Sequence, residues 1–233
     1  AAAALGLSPR QVDFLVLIPS ALRRALPQYG NEVVFMLHGS AVASGGSDRC
    51  VRLWSVTSGE CEATLAGHEA FISALAWHPA GRRLVSASAD GTARVWDLGG
   101  ARTLHVLQGH RGGLRDLALA DEGRLLLSAG EDGAVGIWDL ASGELLRRLR
   151  GHHGAVTAVA AVGETVAAGG EDGTLRLWRL GDGETQRVLR LGAAVHGLAA
   201  MADGTRLLAA HGSAVSELPL PPAARLPWAL AGS

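Results

Sequence analysis

Three histidines each stand twenty residues after an aspartate, at Asp48 and His68, Asp90 and His110, and Asp132 and His152. A histidine beside a carboxylate can act as a general base or be oriented as a metal ligand. Here the association recurs along the chain instead of occurring once, so a structural role for all three is the stronger reading. His153 follows His152 and reads as a solvated loop residue. Glu131-Asp132 and Glu171-Asp172 resemble carboxylate pairs for acid–base work, but adjacent strand residues face opposite sides of a sheet and cannot serve one substrate. The Asp of each pair then reads as structural and the Glu as surface. Cys50 and Cys61 fit neither a CxxC redox pair nor half of a zinc site. No Gly-x-Ser-x-Gly elbow, His-Glu-x-x-His zinc motif or nucleotide-binding glycine pattern occurs. All 21 basic residues are Arg, which removes the lysine of a P-loop, of a protein kinase and of a Schiff base. The expectation is no catalytic, metal or cofactor site.

These residues must be positioned by a repeat of about forty residues. Trp54, Trp96, Trp138 and Trp178 recur at intervals of 42, 42 and 40, and Asp48, Asp90, Asp132 and Asp172 each precede one by six residues. Gly-His pairs stand at 67–68, 109–110 and 151–152. Within one period, FISALAW, RLVSAS, TARVWDL and RTLHVL read as four short strands. Each is too short for a stable helix. The Asp-Gly pairs at 90–91, 132–133 and 172–173 supply positive-φ turn chemistry between the second and third strands. One four-stranded meander cannot cover its own faces, so such sheets must stack radially as the blades of a propeller.

The segments GH…VSASADGTARVWD, GH…LSAGEDGAVGIWD and GHHG…AAGGEDGTLRLWR resemble the WD-repeat family. The resemblance implies an all-β fold, a WD-repeat β-propeller of four-stranded antiparallel blades. It also implies a buried hydrogen-bonded chain of His, Ser or Thr, Asp and Trp inside each blade. By position these are His68, Ser86, Asp90 and Trp96, then His110, Ser128, Asp132 and Trp138. The next repeat keeps His152, Asp172 and Trp178 but has Ala168 at the hydroxyl position, and the first has Ser44, Asp48 and Trp54 without a His. These two read as weaker blades. The resemblance further implies a non-catalytic scaffold or assembly subunit that docks other proteins on the face bearing the Gly-His loops and Asp turns. The positions carried over are Ser47, Ala89, Glu131 and Glu171 before the turn aspartates, and Glu69, Phe71, Arg111 and His153 in the loops. Phe71 is the best anchor if presented, and inward packing of its ring is the equal alternative. An enzyme-associated or nucleic-acid-reading propeller is the other functional class.

The repeat places blades at 31–67, 68–109, 110–151, 152–190 and, in degenerate form, 191–218. In the last, Leu191 takes the His position, His211 or Ser213 the Asp position, and Glu217 or Pro219 the Trp position. Residues 1–30 read as a partial blade or lead-in, with a strand at 20–26; the competing reading is a helix capped by Ser8 with Pro9 at its first position. Residues 219–233 form a proline-rich tail with a possible closing strand around Pro227 to Leu230. Five blades and a fragment suggest part of a larger ring, and the absence of an initiator Met suggests a processed chain or a segment of a longer one.

The 233 residues are 48% apolar, enough for a sizeable core, and the net charge of −1 provides no field to attract nucleic acid or anionic lipid. Arg23-Arg24, Arg82-Arg83 and Arg147-Arg148 with Arg150 read as solvated edge charge that discourages strand-to-strand association. The aromatics that would interleave with them on single-stranded nucleic acid are missing. The apolar run Phe14 to Ile18 is too short to span a bilayer, so no membrane insertion is expected. Two cysteines make no disulfide framework, which favours an intracellular, by default cytoplasmic setting, with an organelle or cytoskeletal assembly as the variant.

Overall fold

The computed structural model describes residues 34–38, 41–201 and 204–220. Its nineteen strands form five antiparallel sheets in chain order. The first contains β1 (Val34–His38), β2 (Ala41–Gly45), β3 (Val51–Ser55) and β4 (Cys61–Leu65). The second contains β5 (Ile72–Trp77), β6 (Arg83–Ser88), β7 (Thr92–Asp97) and β8 (Arg102–Gln108). The third contains β9 (Leu114–Ala120), β10 (Leu125–Gly130), β11 (Ala134–Asp139) and β12 (Leu145–Arg150), and the fourth β13 (Val156–Val162), β14 (Thr165–Gly170), β15 (Thr174–Arg179) and β16 (Thr185–Arg190). The fifth shows β17 (Val195–Ala200), β18 (Arg206–His211) and β19 (Ala214–Pro219). Every sheet is a simple meander, the arrangement of propeller blades. The expected strand at 20–26, its helical alternative from Ser8 and the closing strand near Pro227 lie outside the described residues.

Burial explains the strand composition. Each sheet packs against the next through its first two strands, so second strands such as β10 and β14 are buried along their whole length. Fourth strands stand at the outside: in β12 and β16 most positions are exposed or partly so. Small and apolar residues therefore dominate second strands, while the fourth strands β12 and β16 carry several Arg. Separate apolar clusters fill successive junctions: Leu53 and Leu65 meet Leu84 and Trp96, Val85 and Val95 meet Leu126 and Trp138, and Leu127 and Ile137 meet Val166 and Trp178. Trp96, Trp138 and Trp178 each belong to the core shared with the preceding sheet. Their large area, removed from water, supplies much of the drive for stacking.

The Asp-Gly turns form where expected, with Gly91, Gly133 and Gly173 at φ of 83°, 74° and 70°. In the first sheet Arg49 takes this conformation at φ 66° without the glycine. The fifth sheet corrects one expectation. Gly212 and Ser213 alone join β18 to β19, and Leu207 pairs with Leu218 as Val166 pairs with Trp178 in the fourth sheet. Leu218, rather than Glu217 or Pro219, thus holds the Trp position. The two-residue hairpin, with Gly212 at φ 51°, shortens the turn and shifts the register.

Candidate functional site

The Gly-His loop before each first strand and the Asp turn between the second and third strands lie at the same end of the sheet. In the second sheet Trp96 Nε1 donates to Ser86 Oγ at 2.8 Å, Ser86 Oγ lies 2.7 Å from His68 Nε2, and His68 Nδ1 lies 2.8 Å from Asp90. The third sheet repeats these contacts from Trp138 through Ser128 and His110 to Asp132 at 2.8, 2.8 and 2.9 Å. An ionised Asp accepts only, so Nδ1 carries the imidazole proton and Nε2 accepts from the Ser hydroxyl. The proton order is one-directional: Trp to Ser, Ser to His, His to Asp.

The fourth sheet shows the consequence of Ala168. His152 Nδ1 reaches Asp172 at 3.1 Å, but Nε2 is buried with no hydrogen-bond partner. The His152 and Trp178 rings close to 5.9 Å, against 6.3 and 6.4 Å in the second and third sheets. In the first sheet Trp54 donates to Ser44 at 2.8 Å, while Asp48 is exposed, pairs with Arg52 and accepts from the Cys50 N–H at 3.3 Å.

Electrostatics hold each imidazole neutral. Burial lowers His68, His110 and His152, against the hydrogen bonds and charges of their aspartates, and Arg94, Arg148 and Arg176 respectively push the same way as burial. Burial alone would raise the Asp90 carboxyl, but Thr92, the Glu69 N–H and His68 outweigh it and bring it to about 2. Asp132 and Asp172 are depressed by the same balance.

The arginines were not legible as parts of this arrangement. Arg94 and Arg176 lie over Gly67 and Gly151, where an added Cβ would come within 2.7 and 2.6 Å of a guanidinium nitrogen. These glycines also sit at φ of 153° and 146°, so the glycine of the motif serves backbone conformation and close approach together. The third sheet has Gly136 at the matching position, and Arg148 arrives from β12 instead, donating to Asp132 at 2.7 Å and to the Gly109 carbonyl. Arg148 is therefore a partly buried partner of the turn aspartate, which corrects its reading as edge charge. Arg147 donates to the Gly181 carbonyl at 2.6 Å. Aligning the repeats on Trp would have exposed the Arg94, Gly136, Arg176 alternation, but not the compensating Arg148.

Each turn Asp also accepts the backbone N–H of the residue after the histidine: Glu69 at 2.9 Å, Arg111 at 3.0 Å and His153 at 2.9 Å. These three side chains are exposed, as are Ser47, Glu131 and Glu171, whereas Ala89 is half-buried. Phe71 is 39% exposed, so its ring is presented at least in part. Glu131 is not a bare surface charge, since it accepts from the Gly113 N–H at 3.0 Å and pairs with Arg115 at 2.7 Å. None of these eight residues lines the groove of about 820 Å³ at the opposite end, between the third and fourth sheets, where Leu119, Leu125, Leu146 and Leu180 lie among charged residues including Arg147 and Glu164. Among the described residues, no cluster of three or more His, Cys, Asp or Glu is placed to hold a metal ion, and no helix is long and apolar enough to cross a membrane.

Four-stranded meanders stacked in chain order, two of them stitched by a complete Trp–Ser–His–Asp relay, define a β-propeller repeat protein. The family model described as "WD domain, G-beta repeat" matches residues 31–55, 59–97, 101–139 and 143–179, and the chain belongs to that family. Among curated proteins it is similar to nuclear distribution protein PAC1 of Coprinopsis cinerea, 44% identical over 45 residues, covering 19% of this chain and 10% of that protein. PAC1 of Mycosarcoma maydis is 34% identical over 59 residues (25% and 13%), and the Lissencephaly-1 homolog of Branchiostoma floridae 34% over 44 residues (19% and 11%). The chain thus spans little more than a tenth of the length of these relatives, about one repeat.

Proposed function

We propose that the chain is a non-catalytic docking scaffold, a subunit of a multiprotein assembly, whose partner proteins sit on the end of the sheets bearing the Gly-His loops and Asp turns. One observation carries the reading. The backbone of Glu69, Arg111 and His153 is tied at 2.9–3.0 Å to carboxylates anchored by the buried histidines, while their side chains stay exposed. A side chain projected from an already ordered backbone binds with little further loss of conformational entropy. The face is chemically mixed, with Glu69, Glu131 and Glu171 beside Arg111 and the Phe71 ring, which suits a protein surface better than a polyanion. The name of PAC1 points to nuclear distribution, but a match of one repeat's length supports the repeat and its use in protein docking rather than that process. The blade boundaries at 31–67, 68–109, 110–151, 152–190 and 191–218 belong to the same proposal.

The test takes a stoichiometric companion identified by purification of the intact protein and measures its affinity for the purified chain. Phe71→Ala combined with Arg111→Glu is expected to weaken binding by about 2–4 kcal/mol, removing an aromatic anchor and reversing a rim charge, with an unchanged circular dichroism spectrum. Undiminished binding would displace the interface from these residues, and Leu146→Asp in the opposite groove then reports on that end. Turnover of a substrate by the purified chain would sink the scaffold reading.

A further inference from the structure

The groove at the end opposite the Gly-His loops opens beside a short turn. Gly163 and Glu164 alone join β13 to β14, where residues 78–82 join β5 to β6 and residues 121–124 join β9 to β10. Leu180 donates its N–H to the Glu164 carbonyl at 2.7 Å, as Leu140 does to the Arg124 carbonyl at 3.0 Å. Yet Leu140 is fully buried and Leu180 only half so, with Leu119 and the 53%-exposed Leu146 beside it in the groove. The rim is charged. Arg124 is engaged by Asp121, Arg179 by Asp182 and Glu184, and Arg147 by the Gly181 carbonyl. The exposed Glu122 and Glu164 pair with no cation among the described residues.

The chain leaves the fifth sheet at this same end. Leu220, the last described residue, donates its N–H at 2.9 Å to the carbonyl of Thr205, in the turn before β18. Pro219 and Leu220 border a smaller hollow together with Arg179, and Arg179 also borders the groove. Residues 221–233, PPAARLPWALAGS, can span up to about 40 Å when extended, against about 10 Å between packed sheets. Their composition matches the groove. Leu226, Trp228 and Leu230 alternate, so an extended backbone turns all three to one side. Pro221, Pro222 and Pro227 restrict the free chain, which lowers the ordering cost of docking. Arg225, the cation of the segment, supplies the charge that Glu164 lacks.

We propose that residues 221–233 dock back into the groove between the third and fourth sheets, with Leu226, Trp228 and Leu230 on Leu119, Leu146 and Leu180, and Arg225 at Glu164. The segment covers the apolar floor and closes that end of the sheets to any other partner until it leaves. This self-closure is independent of docking at the Gly-His loops.

Trypsin cleavage of the full chain after Arg225 tests it, with release of residues 226–233 followed by mass spectrometry. A docked segment is cut only from its open form, so the rate follows the open population. Leu146→Asp places a carboxylate on the groove floor at a position exposed on β12. It is expected to raise the rate about tenfold or more, as is Trp228→Ala. Val215→Asp, on the exposed edge of β19, should leave the rate unchanged. Equal rates in the wild-type and Leu146→Asp chains overturn the proposal. Acceleration by Val215→Asp also overturns it, by putting the segment on the β19 edge, and so does protection that grows with protein concentration, by putting it on a second copy. Should Leu146→Asp fail to fold, nuclear Overhauser contacts in the wild-type chain decide: contacts from the Trp228 indole to the Leu146 and Leu180 methyls support docking, and their absence refutes it.

Discussion

Ala168→Ser should stabilise the protein, although it places a polar group at a fully buried position. Ala168 pairs with Val159 and Arg176 as Ser86 pairs with Leu75 and Arg94, so a serine hydroxyl there faces His152 Nε2 and the Trp178 indole. Nε2 is a buried acceptor with no partner, a condition that costs about 1–3 kcal/mol. A hydroxyl donates to it and accepts from Trp178 Nε1. Against this stand the desolvation of the hydroxyl and a small reopening, because the two rings sit 0.4–0.5 Å closer than in the complete relays, at 5.9 Å against 6.3 and 6.4 Å. The net expectation is about 1–2 kcal/mol of added stability, or roughly 2–8 °C in Tm for a chain of this size. Urea and thermal unfolding measure the gain, and the nitrogen NMR shift of His152 Nε2 reports the new bond directly. An unchanged or lowered midpoint together with an unmoved Nε2 resonance would refute the proton order assigned to the relay.

Two further outcomes follow from the same geometry. Asp132→Ala strands His110 Nδ1, the Arg111 N–H and the Arg148 guanidinium and should cost about 2–4 kcal/mol, whereas Glu131→Ala removes exposed contacts and should cost under about 1 kcal/mol; equal thermal shifts would contradict the assignment. Stability should also fall as pH drops below 6.5. The depressed folded-state pKa values of His68, His110 and His152 mean that the folded chain binds fewer protons there, and protonation of Asp90, Asp132 and Asp172 adds a second loss below about 4. A urea midpoint that stays flat from pH 7 to 5 would show that the imidazoles do not titrate with unfolding.

The sequence by itself determined the blades. Trp, Asp and Gly-His recur about every forty residues, the runs between them read as four short strands, and Asp-Gly sets the sharp turn wherever it occurs, because short-range φ preferences and strand periodicity are local properties. The same local logic located the first and fourth relays as defective, from the missing His and from Ala168. Register in the fifth sheet was less legible, since a turn one residue shorter at Gly212-Ser213 moves every later position and no tryptophan marks it. Side-chain contacts that skip a strand or cross between sheets were not legible at all. Arg148 reaches Asp132 across β11 only because Gly136 leaves the place that Arg94 and Arg176 fill elsewhere, and Asp116 meets the Val159 N–H only because two inner strands are brought side by side. Partners forty residues apart in sequence become neighbours through the stacking of sheets, and the chemistry of those junctions therefore belongs to the tertiary structure.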